Sequence, residues 1–304
     1  MGKRWKRKMK MLFEVIFIIL FSFTSALAVS IDDLNKTVVF LRQQSQKMIP
    51  MDNKPAGLYY RYPDSKEYKP IIETSLGTGF LIKYIGRDYL VTAKHVAKNL
   101  LSTGEIIINL PNGNTTIITF QQLSDANIIK RAHWFHHPKA DISIHPMGYP
   151  GAVDAAALPE DLFPKKDADI KLLTPAYIVG FPLGLGVLDK LSPVAKEAKI
   201  ASKLTSIANP DIPADLHFYL LDQALSQGYS GAPVFYVEDV MSGVMIGNQQ
   251  MKGGEILHLL GVQSSALSDQ TGGKISVVVP ISYIWDIFES SDFQAYIKGV
   301  TSKK

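Results

Sequence analysis

The chain has 304 residues, of which 46% are hydrophobic and 20% charged, a composition typical of a globular protein with a sizeable core. Its formal net charge of +4 has a local origin, because six of the 32 basic residues lie within the first ten positions. The rest is close to neutral, which excludes the broad basic surface of a nucleic-acid-binding protein. The chain has no cysteine, which excludes a disulfide framework and lipid attachment through an N-terminal cysteine.

The first 28 residues have the order of a secretory signal peptide. A basic stretch precedes an apolar run over residues 11–23, and small residues suited to signal peptidase follow at positions 25–28. The apolar run is short for a membrane span, which needs about 20 apolar residues. We therefore expect cleavage after Ala28 and export to the periplasm or the extracellular space. An uncleaved segment that holds the chain at a membrane is the alternative.

Residues 29–70 are predicted to form an N-terminal helix and an irregular arm. Apolar residues at Ile31, Leu34, Val38 and Leu41 recur at spacings of three and four, which predicts one amphipathic helix over residues 31–48. The following stretch up to residue 69 is rich in proline, tyrosine and charge, which is typical of a linker.

From residue 71 onward the pattern is that of an all-β protein, either a barrel or a sandwich. Ten short runs of β-branched and aromatic residues alternate with turn residues, and a C-terminal helix is predicted over residues 282–297. An alanine-rich stretch over residues 154–162 predicts a turn of helix. The predicted strands cover residues 79–83, 89–93, 106–110, 115–120, 142–145, 176–180, 217–221, 233–237, 256–262 and 275–279.

The most informative motif is the stretch from Gly228 to Pro233, in which Ser230 lies between glycines. A serine nucleophile needs a tight turn that projects its hydroxyl into a cleft, and glycine permits the required backbone angles. The same turn can direct the N–H groups of Gly228 and Ser230 at one point, which makes an oxyanion hole. A simple Gly-Ser turn before a strand is the alternative for this motif alone.

Two further residues complete a catalytic pattern when they are read with Ser230. His95 follows an apolar run that starts at Leu90, and Asp141 heads an alternating strand. Alone, the histidine would be read as a core or edge residue and the aspartate as a turn cap. The chain order His, Asp, Ser changes that interpretation.

With these motifs the sequence resembles the trypsin-like serine peptidases, in particular their bacterial DegP/HtrA-like branch. The carrying segments are Thr92-Ala93-Lys94-His95, Asp141-Ile142 and the turn around Ser230. The resemblance implies two antiparallel β-barrels, over residues 71–170 and 171–304, the second with the C-terminal helix. It also implies a His95–Asp141–Ser230 triad that hydrolyses polypeptides through an acyl-enzyme without a cofactor. No PDZ-sized segment follows, so we expect a protease without that domain.

The resemblance also indicates where substrate side chains would bind. The floor of the specificity pocket falls at Ala224 and its wall at Val262, Gln263 and Ser264. Ala224 offers no carboxylate for Lys or Arg, and Gln263 stands where glutamate-specific relatives carry histidine. We therefore expect small, neutral side chains before the scissile bond.

Two other interpretations remain open. A metal site among four histidines near Asp141 is disfavoured, because their spacing matches no zinc pattern; these are His133, His136, His137 and His145. A catalytically inactive trypsin-like domain that binds peptides is the alternative function, although an intact triad would then serve no purpose.

Overall fold

The described part of the chain is built mainly from β-strands. The computed structural model describes residues 34–49, 69–125, 133–187, 190–208, 212–240, 245–246, 249–250, 254–268 and 274–301. All of them belong to one unit spanning Asp32–Lys304. The predicted all-β fold class is confirmed, because the strands form two large antiparallel sheets.

The first sheet precedes the second along the chain and carries seven strands. They are β1 (Val38–Ile49), β2 (Lys69–Tyr84), β3 (Arg87–Thr92), β4 (Glu105–Asn109), β5 (Thr115–Thr119), β6 (Phe135–His136) and β7 (Ser143–Pro146). Their order in the sheet is β5-β4-β1-β2-β3-β7-β6. No backbone pairing joins β5 to β6 among the described residues. The ring of Phe120, just after β5, instead packs on Trp134 at 5.4 Å and His145 at 4.9 Å between ring centroids.

The second sheet closes on itself. Its strands, with the small β12–β13 ribbon, are β8 (Pro175–Gly180), β9 (Val194–Lys199), β10 (Tyr219–Leu221), β11 (Pro233–Val240), β12 (Met245–Ile246), β13 (Gln249–Gln250), β14 (Gly254–Ser268) and β15 (Lys274–Pro280). The sheet order is β10-β15-β14-β11-β8-β9. An antiparallel bridge between Ile200 and Leu221 joins the two ends, and the Ala201 amide donates to the Leu220 carbonyl at 2.7 Å. The six strands therefore form a barrel.

The helix predicted over residues 31–48 is wrong from Val38 onward. β1 occupies Val38–Ile49 and pairs with β2 over its whole length. β1 lies between β2 and β4, and residues 38–41 are at most 4% exposed, so both faces of this part of the strand are covered. A strand buried on both faces shows no alternation, so its apolar residues matched a helical spacing by chance. The first sheet thus begins at Val38 rather than at residue 71.

The described helices are short. They are α1 (Lys94–Asn99), α2 (Phe120–Asp125), α3 (Tyr283–Glu289) and α4 (Ser291–Thr301), and a 3₁₀ turn covers Glu160–Leu162. The single helix predicted over residues 282–297 is divided at Ser290, whose ψ of 146° is extended. α3 also packs on the first sheet rather than belonging to the second barrel, since the Phe288 ring stacks on Tyr84 at 3.8 Å.

Two sequence predictions fall outside the described residues: the signal segment over residues 1–28 and nearly all of the arm before residue 69. Within the described ranges, no helix combines the length and apolar character that crossing a membrane requires.

Candidate active site

His95 lies in the first turn of α1, directly after β3, and is held by one carboxylate. Its Nδ1 is 2.8 Å from Asp141 Oδ2, and its backbone N–H donates to Asp141 Oδ1 at 2.8 Å. With Nδ1 donating to the carboxylate, Nε2 is the nitrogen that carries the free lone pair. The His95 side chain is 48% exposed, so this nitrogen can meet a reactant.

Asp141 lies in the loop between β6 and β7 and has a second side-chain partner. The hydroxyl of Ser264, on β14 of the other sheet, donates to Asp141 Oδ2 at 2.5 Å. Burial favours the neutral acid, but the hydrogen bonds and charge of His95 and the Ser264 bond outweigh it, so the pKa of Asp141 is lowered. Asp141 is therefore ionised and oriented where the two sheets meet.

Hydrogen bonds of two side chains, Lys94 and His137, hold the loop before Asp141. The Lys94 ammonium donates to the carbonyls of His137 at 2.6 Å and Pro138 at 3.0 Å. The His137 ring accepts from the Ala140 amide at 2.6 Å through Nδ1, so its Nε2 donates to Asp286 at 3.0 Å. Lys94 points at the loop that carries Asp141, and α3 reaches the same loop through Asp286. Partial burial, followed by the charge of Lys98, lowers the pKa of Lys94.

Ser230 lies in the turn before β11, and its hydroxyl donates to the carbonyl of Ser264 at 3.2 Å. Among the described residues it makes no hydrogen bond to His95. Ser264 thus touches both halves of the site, with its hydroxyl on Asp141 and its carbonyl on Ser230. The sequence placed Ser264 only in a pocket wall and missed this link.

The turn around Ser230 orients two free amide groups. The Gln227 carbonyl accepts from the Leu183 amide at 2.7 Å, and the Tyr229 carbonyl accepts from the Ala232 amide at 2.8 Å. In a trans peptide the N–H points opposite to the carbonyl, so the N–H groups of the two following residues face away from these partners. Neither of these amides, on Gly228 and Ser230, donates to another described residue.

Glycine is required on both sides of Ser230. Gly228 and Gly231 have φ values of +99° and +87°, which side-chain-bearing residues rarely adopt. A Cβ on Gly231 would lie 2.1 Å from the Thr78 carbonyl oxygen, and one on Gly228 would lie 2.3 Å from the Phe181 carbonyl oxygen. The turn therefore packs against backbone that cannot move aside.

Thr78, on β2 of the first sheet, clamps this turn, and sequence reasoning gave it no role. Its amide donates to the Ser230 carbonyl at 2.9 Å and its hydroxyl to the Gly228 carbonyl at 2.7 Å. The hydroxyl also accepts from the Phe181 amide at 3.1 Å, and Thr92 donates to the Thr78 carbonyl at 2.7 Å. Its place in Gly77-Thr78-Gly79 was the only signal, since glycines permit such close approach.

The other residues predicted to line the specificity pocket are Ala224, Val262 and Gln263, and the structure places them in different environments. The Ala224 carbonyl accepts from the Lys196 ammonium at 3.0 Å. Val262 is fully buried in β14. The Gln263 backbone pairs with the serine turn, accepting from the Gly231 amide at 2.7 Å. Substrate binding by these residues remains a prediction.

The four histidines near Asp141 have separate partners. No three metal-ligating side chains converge anywhere in the described ranges. A ring nitrogen of each histidine contacts a different group: Asp292 for His133, Ser143 for His136, Asp286 for His137 and the Pro146 carbonyl for His145.

No family model and no curated protein matches the chain. Solved structures do resemble it. The HtrA-type protease AlgW with a decapeptide is 17% identical over 90% of this chain and 67% of its own, with a TM-score of 0.48. The alignment with Deg5 covers 84% of this chain and 88% of Deg5, with 12% identity and a TM-score of 0.47. An inactive mutant form of Rv3671c from M. tuberculosis H37Rv is 15% identical over 90% and 93%, with a TM-score of 0.45.

The chain spans about two thirds of the length of the AlgW chains, 67% in one structure and 63% in another. Identities this low leave the functional conclusion to the geometry of the site.

Proposed function

We propose that the chain is a serine endopeptidase of the trypsin-like kind with His95, Asp141 and Ser230 as its catalytic triad. The observation that carries the proposal is the chain of contacts through one carboxylate. Asp141 binds His95 at 2.8 Å and Ser264 at 2.5 Å, and Ser264 in turn binds the Ser230 hydroxyl at 3.2 Å. These contacts bring a base, its orienting acid and a nucleophile to the junction of the two sheets.

Catalysis begins when the Ser230 hydroxyl turns from the Ser264 carbonyl toward Nε2 of His95. The Ser230 oxygen attacks the scissile carbonyl while His95 takes its proton, and Asp141 stabilises the resulting imidazolium. His95 then returns the proton to the leaving amine, which leaves an acyl-enzyme on Ser230. Water, deprotonated by His95, hydrolyses that ester. No cofactor takes part in these steps.

The N–H groups of Gly228 and Ser230 serve as the oxyanion hole in this mechanism. Their peptide carbonyls are tied down on the opposite side, so the donors need no rearrangement when charge develops on the substrate oxygen. Removing one such donor costs about 3 kcal/mol of transition-state stabilisation in well-studied hydrolases.

A fluorophosphonate probe tests the proposal, because it forms a covalent bond only with an activated serine. We expect labelling of the purified protein at Ser230, mapped by peptide mass, and hydrolysis of a denatured protein substrate. Ser230→Ala should abolish both while its circular dichroism spectrum stays unchanged. His95→Ala should fail to react in the same way.

The outcome that would contradict the enzyme is a folded protein that neither labels nor cleaves. If it also bound peptides, the inactive binding domain would be the better description.

We also propose that the protein is exported and acts on polypeptides in the periplasm or outside the cell. The basic start, apolar run and small residues of positions 1–28 support this. N-terminal sequencing of the protein recovered from its producing cell should begin at Val29. A start at Met1 in a membrane fraction would instead indicate an uncleaved anchor.

A further inference from the structure

Lys196 is a lysine on the core-facing side of a barrel strand. It lies on β9 two residues before Ala198, and side chains two apart share one face of a strand. Ala198 is 1% exposed within the apolar core of the barrel, and Ile178, the cross-strand partner of Lys196, is fully buried. The Lys196 stem therefore runs along the core, and its ammonium emerges at the Ala224 carbonyl, 3.0 Å away.

The segment that leads to Ser230 lies across β9. The Tyr229 hydroxyl donates to the Val194 carbonyl at 3.3 Å, and Lys196 reaches Ala224 further back along the same segment. The Lys196 ammonium therefore contacts the stretch of chain that leads to Ser230, the candidate nucleophile.

The same segment also contacts β15, the strand paired with β14. The Leu225 amide donates to the Ser276 hydroxyl on β15 at 3.0 Å, and Ser276 pairs across strands with Ala266 on β14. Ala266 is exposed and lies two residues after Ser264, which touches Ser230. The segment around Ala224 and the part of β14 around Ala266 therefore meet at Ser276, and each leads to a residue of the Ser230 site. A substrate side chain bound between them would meet only the small side chains of these two alanines.

The charge of Lys196 has no carboxylate partner within 4.0 Å among the described residues. Glu197 is on the opposite face of β9, and Asp222 accepts from the Lys199 amide at 2.8 Å. A lysine ammonium has three N–H donors, of which the Ala224 carbonyl uses one. Two of its N–H donors therefore have no partner among the described residues.

We propose that Lys196 is a specificity-determining residue that binds a carboxylate on the substrate side chain before the scissile bond, so the protease prefers glutamate or aspartate there. The inference rests on the proposed function and differs from the small neutral preference that the sequence alone predicts. A carboxylate gains a charge-assisted hydrogen bond from the ammonium, whereas a Lys or Arg side chain meets a like charge. Sequence reasoning missed it because Lys196 lies far from every catalytic motif along the chain.

The test uses two peptides that differ only in Glu or Gln before a single cleavage site, which separates charge from size. For the natural protein we expect kcat/KM for the Glu peptide to exceed that for the Gln peptide by about tenfold. Lys196→Met should bring this ratio close to one. Lys199→Met is the matched control on the outward face of β9, and its ratio should stay at the natural value.

A ratio near one in a natural protein that labels with the fluorophosphonate probe would overturn the inference but not the proposed function. The inference would also fail if Lys196→Met slowed both peptides equally, because the lysine would then only brace Ala224. A natural protein that neither labels nor cleaves would overturn both.

Discussion

The His95–Asp141 pair and the turn around Ser230 lie on different sheets and are held by different kinds of contact. Side chains hold the first region, with Lys94 and His137 on the Asp141 loop and Ser264 on the carboxylate. Backbone groups hold most of the second, through tightly packed glycines and carbonyls bound by neighbouring amides, and the Thr78 hydroxyl on the Gly228 carbonyl adds one side-chain contact.

This difference predicts how each region responds to substitutions and to pH. Side-chain contacts can be removed one at a time and depend on charge, so the first region should respond to pH and weaken in steps. Backbone contacts cannot be deleted singly, because moving one peptide moves its neighbours, so the second region should fail as a unit. Four changes test this contrast, from the largest expected effect to the smallest.

Gly231→Ala should have the largest effect. The new Cβ would lie 2.1 Å from both the Thr78 carbonyl oxygen and the Thr92 hydroxyl, at a φ of +87°. Overpacking and backbone strain together should lower the free energy of unfolding by about 4 kcal/mol and abolish probe labelling. Urea denaturation and labelling measure the two effects.

Gly113→Ala is the matched control for that substitution. Gly113 has the same φ of +87°, but its added Cβ would meet nothing within 4 Å. It should lose only about 1 kcal/mol and keep full labelling. Equal losses in the two variants would show that strain, not packing around Ser230, causes the effect.

The first sheet should lose stability in acid through His145, which lies on β7, the strand that follows the Asp141 loop. Burial lowers the pKa of His145 from 6.5 to about 4, despite the Pro146 carbonyl that accepts from its ring. Between those values the unfolded chain binds a proton there that the folded chain does not. The free energy of unfolding should therefore fall as the pH drops from 6.5 to 4, by about 3 kcal/mol in total.

His145→Phe should flatten this pH dependence, because phenylalanine does not titrate. Urea denaturation of both proteins at several pH values between 7 and 4 measures the slopes. An unchanged slope in the variant would assign the acid sensitivity to other groups.

Thr78→Val should affect the second region more moderately. Valine has nearly the same shape, but the Gly228 carbonyl and the Phe181 amide would lose their buried partner. We expect a loss of about 2 kcal/mol in the free energy of unfolding and a clear fall in kcat. Thr37→Val removes a buried hydrogen bond of 2.8 Å to the Leu34 carbonyl, which is outside the turn, so it should lower stability but leave kcat unchanged.

Lys94→Met should have the smallest effect and should act on rate rather than on stability. The loop before Asp141 would lose the ammonium that binds two of its carbonyls, so Asp141 would orient His95 less well. We expect kcat to fall about tenfold, or about 1.4 kcal/mol, with KM unchanged. A rise in KM alone would place Lys94 in substrate binding instead.

Lys94→Arg keeps the charge and a donor group at the same position. This variant should keep part of the kcat that Lys94→Met loses, if the positive group at this position holds the loop before Asp141.

Much of the fold could be predicted because its signals are local. Each of the ten predicted strands overlaps a strand of the structure, since short β-branched runs between turn residues need no tertiary information. β1 was missed because a strand buried on both faces does not alternate, and β9 because its charged face resembles a loop. The helix division at Ser290 is likewise absent from the apolar pattern.

The sequence by itself indicated His95, Asp141 and Ser230 as candidate catalytic residues, and it required glycine around Ser230. These are properties of residue type, order and local backbone geometry. The tertiary structure decided what holds them: Thr78 on the Ser230 turn and Ser264 between Asp141 and Ser230. It also placed Lys196 at the Ala224 carbonyl. Thr78 and Gly228 are 150 residues apart, and Ser264 and Asp141 are 123 apart. A hydrogen bond across such separations leaves no periodic pattern in the chain, because only the packing of the two sheets brings its donor to its acceptor.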